Sequence, residues 1–178
     1  MTPEQATFLL NEVCLPTLKR EHAISKQVIE AIPYEKDYRP DPFAKSALEL
    51  AWHITAAEHR FLAGIAAGGF DFNPIHRPES ITDATGIAEW YENSFNTNFA
   101  RLTQLTGYEL IKIIDFRGLF QLPAVAYFSF CINHMIHHRG QLSTYLRPMG
   151  GKVPSIYGES YDSAEARKAA ETAATAVN

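Results

Sequence analysis

Apolar residues recur at three- and four-residue spacing through four long stretches of the chain, which is the spacing that stacks side chains on one face of an α-helix. In the first stretch, Thr2 is placed as an N-cap, Pro3 takes the first helical position and Gln5 closes a capping box, predicting a helix that runs to about Ile32, before Pro33. Pro16 should kink it, because its ring collides with the Glu12 carbonyl and removes one backbone hydrogen bond. A turn-rich loop covers 33–42, and Asp41-Pro42 reads as the opening of the second helix. That helix carries Ser46, Leu50, His53, Ala57, Phe61 and Gly64 on one face and stops at Gly68-Gly69. The capping signal Ser80-Ile81-Thr82-Asp83 starts a third helix, with Ile87, Tyr91, Phe95, Asn98, Leu102 and Leu105 aligned and Gly107 as its stop. The segment 109–120 is apolar enough for a short extended piece or a buried loop, and it is read as irregular. Pro123 opens a fourth helix with Tyr127, Cys131, His134, His138, Gln141 and Tyr145 in one stripe, ended by Arg147-Pro148-Met149-Gly150-Gly151. Four long amphipathic helices predict an all-α four-helix bundle with irregular connections.

Domain organisation follows from the same pattern. Residues 1–158 read as one domain, and 159–178 as an Ala-rich C-terminal tail whose small side chains bury little area, with Ser163 as a candidate cap for a marginal helix. A length of 178 residues with 46% hydrophobic content suits one autonomous globular fold. The formal net charge of -4, with 16 basic residues dispersed along the chain, offers no phosphate-neutralising stripe, so no nucleic-acid partner is expected. Cys14 and Cys131 lie in apolar helical patterns without a C-x-x-C partner and read as buried thiols in a reducing compartment. The N-terminus has no signal-peptide pattern, and the longest uncharged apolar run, about Leu119 to Ile132, is shorter than the ~18 residues of a membrane span. A cytoplasmic protein with no membrane association is expected.

Chemistry concentrates in Asn133-His134-Met135-Ile136-His137-His138-Arg139-Gly140-Gln141. His134 and His138 are four residues apart and stack on one helical face, with Cβ atoms roughly 5–6 Å from each other. In a bundle, the inward faces of helices two and four meet, which sets His53 opposite that pair. Three converging imidazoles with a fourth position open suit a divalent transition metal such as zinc, nickel, iron or copper, and poorly suit magnesium or calcium, which take oxygen ligands. His137 points about 100° away from His138 and is placed against helix three, a partner or a substrate. His22 and His59 are read as surface residues and His76 as a loop residue. Glu49 is a candidate partner for the second ring nitrogen of His53. Gly140 suggests close approach of another backbone, and Arg139 and Gln141 suggest anchors for a loop or a carboxylate. Tyr145 and Tyr157 are candidate hydroxyl donors, Glu58 faces away from His53, and Cys131 is read as packing. No catalytic acid, base or nucleophile is assigned.

The run His134-Met135-Ile136-His137-His138-Arg139-Gly140-Gln141-Leu142-Ser143-Thr144-Tyr145-Leu146-Arg147, followed by Val153-Pro154-Ser155-Ile156-Tyr157-Gly158, resembles the C-terminal signature of DinB-like proteins, and Glu49-Leu50-Ala51-Trp52-His53-Ile54 resembles their second helix. The resemblance spans about Phe8 to Gly158. It implies a four-helix bundle of the DinB-like type, a metal held by His53, His134 and His138, and a homodimer. Similar proteins in the wider superfamily include metal-dependent transferases and isomerases that use low-molecular-weight thiols such as bacillithiol or mycothiol, and a metal-dependent hydrolase. The resulting expectation is a metal-dependent enzyme for a small-molecule substrate. Its divalent metal, zinc or nickel foremost, would activate water or a low-molecular-weight thiol in a transferase or hydrolase reaction. The alternative is a non-catalytic, dimeric metal-binding protein of a stress response.

Overall fold

A computed structural model describes residues 1–34 and 37–176, so Glu35 and Lys36 of the predicted loop and Val177 and Asn178 of the tail lie outside the described residues. The first predicted helix forms as two segments. Helix α1 (Pro3–Leu9) starts at the Thr2/Gln5 capping box, α2 (Leu15–Glu30) follows, and a π-helical turn, Leu10–Cys14, joins them. Pro16 explains the turn: it has no N–H to offer the Glu12 carbonyl, and the wider turn absorbs the misfit without breaking the helix.

Helix α3 (Ala47–Ala67) begins later than Asp41-Pro42 suggested. Ser46 and Glu49 form a complete capping box, which satisfies backbone groups at both positions and fixes the start there. Its C-terminus follows expectation, with Gly68 in the left-handed region at φ 69°. Helix α4 (Ala84–Leu102) is capped by Asp83. Gly107, predicted to stop it, instead begins the short helix α5 (Gly107–Leu110). The segment read as irregular contains an antiparallel hairpin, β1 (Ile113–Phe116) and β2 (Phe120–Pro123), pairing Ile114 with Leu122. Its turn carries positive φ at Arg117 and Gly118, a pair of conformations that hydrophobic periodicity does not report. A 3₁₀ turn then leads into α6 (Tyr127–Leu146). In the tail, α7 (Tyr161–Ala176) is capped by Ser160, which accepts from the Ser163 N–H, so Ser163 is not the cap.

Helices α2, α3, α4 and α6 form the bundle, with α3 packed on α4 and α6, and α2 packed on the same two. Two apolar clusters fill it. One contains Leu18, Leu62, Ile65, Phe95, Phe128, Cys131 and Met135, and the other Val28, Leu50, Ile54, Ile87, Tyr91, Leu142 and Leu146. The order of these residues means that α2 and α6 run one way and α3 and α4 the other. The connection 68–83 must therefore return the length of the bundle, along the outside of α3. Between the apolar halves lies a layer of buried polar side chains: Glu21, His22 and Ser25 from α2, Thr55 and Glu58 from α3, and Arg139 from α6.

That layer corrects the surface assignment of His22. The residue is buried, its Nδ1 lies 2.9 Å from Glu58 Oε1, and its ring stacks on Phe95 at 3.8 Å. Tyr91 donates to the other Glu58 oxygen at 2.6 Å. Arg139 forms a 2.8 Å ion pair with Glu21 and donates to the Tyr157 hydroxyl, which in turn donates to Glu21 at 2.7 Å. Burial alone would push the Glu21 carboxyl up, but hydrogen bonds from Tyr157 and Arg139 hold it below the usual carboxylate range. Arg139 thus anchors a carboxylate and the C-terminal loop, and Tyr157 is engaged in this network. Gly140 is exposed, with nothing within 4 Å of where a Cβ would stand, so it permits no close helix approach. Among the described residues no helix is long and apolar enough to cross a membrane.

Candidate metal centre

At the level of the polar layer, on the seam between α3 and α6, the structure brings together His53, His134 and His138. Their ring centroids are 4.4–4.9 Å apart, and one nitrogen from each ring lies within 4.8 Å of the other two. All three are half-buried at the edge of the apolar faces, whose centres run through Leu50, Ile54 and Glu58 on α3 and through Cys131, Met135 and Arg139 on α6. This offset leaves the imidazoles open toward solvent on one side. Phe61 closes part of the other, with its ring 6.3 Å from that of His134.

The electrostatics favour neutral rings. Burial pushes His53 down to about 4, aided by the neighbouring His138 and by the positive charges of Lys45 and Arg60. Burial likewise takes His134 to about 4, with His138 and His53 contributing. His138 is lowered by burial too, against an opposing hydrogen bond to Gln141. Neutral imidazole is the form that binds a metal, so the three rings need no proton removed at neutral pH.

The donor geometry fits a divalent ion. His138 Nδ1 lies 3.2 Å from Gln141 Oε1; donating there commits the proton to Nδ1 and leaves Nε2 as a lone pair. Across from it, at 3.1 Å, is His53 Nε2. Two nitrogens each about 2.05 Å from one tetrahedral ion stand about 3.3 Å apart, close to this separation. Among the described residues, His134 Nδ1 is buried without a hydrogen-bond partner.

Other candidate residues go elsewhere. Glu49 does not serve His53: its carboxylate accepts from the Ser46 N–H at 2.9 Å and pairs with Arg39 at 2.8 Å. Gln141, read only as an anchor, is the residue that orients a ring, and its Nε2 donates to the Tyr145 hydroxyl. His137 is exposed, its ring 4.7 Å from that of His138. His59 is half-buried, with Nδ1 2.7 Å from Ser94 Oγ, and so is not a surface residue either. Cys131 packs in the core, where burial raises its thiol far above the usual range. Glu58 is bound to His22 and Tyr91. Among the described residues no carboxylate belongs to the imidazole cluster.

Comparison with known proteins agrees with the fold. Residues 8–172 match the profile of the DinB family. The uncharacterized protein YrdA of Bacillus subtilis is 35% identical over 113 residues, covering 61% of this chain and 64% of YrdA, so the chain spans under two thirds of that relative's length. The uncharacterized protein YjoA of the same organism is 32% identical over 115 residues, covering 64% of this chain and 73% of YjoA. The crystal structure of YjoA, a DinB-like protein, superposes with a TM-score of 0.68 at 26% identity, covering 82% of this chain and 99% of that one. A DinB-like protein from Bacillus cereus gives 0.70 at 25% identity, covering 83% of this chain and 97% of that one.

Proposed function

This chain belongs to the DinB family, and from that premise we propose that it is a metal-dependent enzyme whose divalent ion is held by His53, His134 and His138. The observation that carries the reading is the convergence of three ring nitrogens from two helices within 4.8 Å, on rings that burial keeps neutral. Three imidazole donors suit zinc or nickel. When bound, such an ion supplies Lewis acidity, drawing the pKa of a coordinated water or thiol toward neutrality.

The chain's own contribution is to bind and to orient. The two α6 histidines sit one helical turn apart on a rigid element, and Gln141 fixes the tautomer of one of them. Phe61 gives the cluster an apolar neighbour, its ring 6.3 Å from that of His134. Among the described residues no carboxylate joins the cluster as a ligand. A nucleophile that loses its proton readily once coordinated, water or a low-molecular-weight thiol, suits such a site. A homodimer is part of the proposal, supported by exposed apolar side chains such as Phe8, Leu119 and Phe120.

The test is to strip the protein with a chelator, reload it with zinc or nickel, and screen thiol conjugation to chromogenic electrophiles beside ester and amide hydrolysis. Metal-dependent turnover that disappears in His138→Ala is the expected result. A fully loaded protein that turns over none of these substrates would support the rival, a non-catalytic metal-binding protein.

A further inference from the structure

The return connection 68–83 does more than close the fold. Its backbone is tied to the outer face of α3 at three carbonyls. Trp52 Nε1 donates to Ile75 O at 3.0 Å, and Arg60 donates through Nε to Asp71 O and through Nη2 to Asn73 O at 3.1 and 2.8 Å. Between the connection and the helix lies a cleft of about 500 Å³, and His53 forms part of its wall. The cleft therefore adjoins the imidazole cluster through His53.

Its lining carries three cations and one carboxylate. Lys45, Arg60 and Arg77 come from three separate segments: the residue before the α3 cap, the middle of α3, and the return connection. The carboxylate in the wall, Glu49, is already paired with Arg39. Among the described residues none of the three cations has a carboxylate within 4 Å, although Glu49, whose carboxyl the Ser46 N–H and Arg39 hold below the usual range, is near enough to Lys45 for its charge to help. Arg60 bonds only to neutral carbonyls, which aim its guanidinium without cancelling its charge. On a chain of net charge -4, three cations against one carboxylate, itself paired outside with Arg39, are not an average patch of surface. A cleft lined mostly by one sign of charge focuses its potential inward, and guanidinium groups match the geometry of carboxylate and phosphate oxygens. The cavity is of small-molecule size, and three charges are too few and too localised for a nucleic-acid track.

We propose that this cleft is an oxyanion subsite, in which Lys45, Arg60 and Arg77 hold the carboxylate or phosphate group of a small-molecule substrate beside the imidazole cluster. That the bound molecule is a substrate rests on the metalloenzyme reading; that it is an anion does not. Trp52, held by Ile75 and packed beside Trp90, is the aromatic part of the wall.

The test uses chelator-treated full-length protein labelled with ¹⁵N, following the Trp52 indole resonance during titration with phenylphosphonate, benzoate and the neutral benzamide. Both anions should shift the resonance saturably, and benzamide should not. Lys45→Gln combined with Arg77→Gln should weaken anion binding about tenfold or more, since charge-assisted contacts are lost. Neither side chain makes a hydrogen bond among the described residues, so this variant should fold, and its metal content should match that of the wild type. Equal binding of benzamide and the anions, or unchanged affinity in the double variant, would overturn the subsite. The two readings separate in His53→Ala: retained anion binding without metal upholds the subsite independently, whereas a wild-type protein that binds anions but no metal would remove the metalloenzyme and leave the subsite standing.

Discussion

Arg139 of α6 and Glu21 of α2 form a 2.8 Å ion pair at the middle of the bundle, each about 1% exposed. The two residues lie 118 positions apart, and Tyr157 completes the contact from the C-terminal loop. Removing Arg139 would leave the buried Glu21 carboxylate with only the Tyr157 hydroxyl and the exposed Arg20, which reaches its other oxygen at 3.1 Å. Arg139→Met should therefore destabilise the protein, by less than the ~3–5 kcal/mol of a buried charge left with no partner at all, because Arg20 and Tyr157 remain on Glu21. Glu21→Gln together with Arg139→Met should cost less than the sum of the single changes, because no unpaired charge remains. Urea denaturation of the four proteins checks this, and strict additivity would contradict it.

Gln141 should matter to metal binding although it is not a proposed ligand. Without its oxygen the His138 ring loses the partner that fixes its tautomer. Gln141→Leu is predicted to weaken zinc affinity about 10–100-fold at unchanged stoichiometry. Competition titration against a chromogenic chelator gives the answer, and wild-type affinity in the variant would dismiss the role.

Acid should destabilise the metal-free protein in a defined window. His53 and His134 fall to about 4 in the folded state, against an ordinary value of 6.5. Between those limits the unfolded chain binds more protons than the folded one, so stability is full above pH 6.5 and declines as pH falls toward 4. His53→Ala with His134→Ala should flatten that decline. Urea midpoints measured from pH 8 to pH 4 test it; equal slopes in both proteins would show that these rings are not its source.

Two glycines should respond oppositely to alanine. A Cβ at Gly107 would stand 2.1 Å from the Pro3 carbonyl oxygen, backbone that cannot yield cheaply, so Gly107→Ala should loosen the packing of α1 on α5 and lower the melting temperature. Gly140 meets nothing and sits inside a helix, so Gly140→Ala should stabilise by up to about 1 kcal/mol. Differential scanning calorimetry separates the signs.

The convergence of His53 with His134 and His138 was legible because spacing along a helix fixes which side chains share a face, and a bundle turns such faces toward each other. Caps at Thr2 and Gly68 were legible for the same local reason. The start of α3 departs from the Asp41-Pro42 signal because Ser46-x-x-Glu49, further along, forms a capping box that satisfies more backbone groups. That box also carries Glu49 away from His53. His22 was hidden because Glu21, His22 and Ser25 look like a solvated face. Only Glu58, Tyr91 and Arg139, contributed by three other helices, make that face an interior one. The basic cleft was equally out of reach, since Arg77 meets Lys45 and Arg60 only through the path of the return connection.

The central claim is that three imidazoles from α3 and α6 hold one cation. Its most direct test is the metal content of protein purified without an affinity tag or added metal, measured by inductively coupled plasma mass spectrometry for the wild type and for His53→Ala, His134→Ala and His138→Ala. One equivalent of a divalent transition metal per wild-type chain, and its loss or sharp reduction in each variant, is the predicted result. Full retention of the metal in all three variants, or a wild-type chain that neither carries nor takes up zinc or nickel, would contradict it.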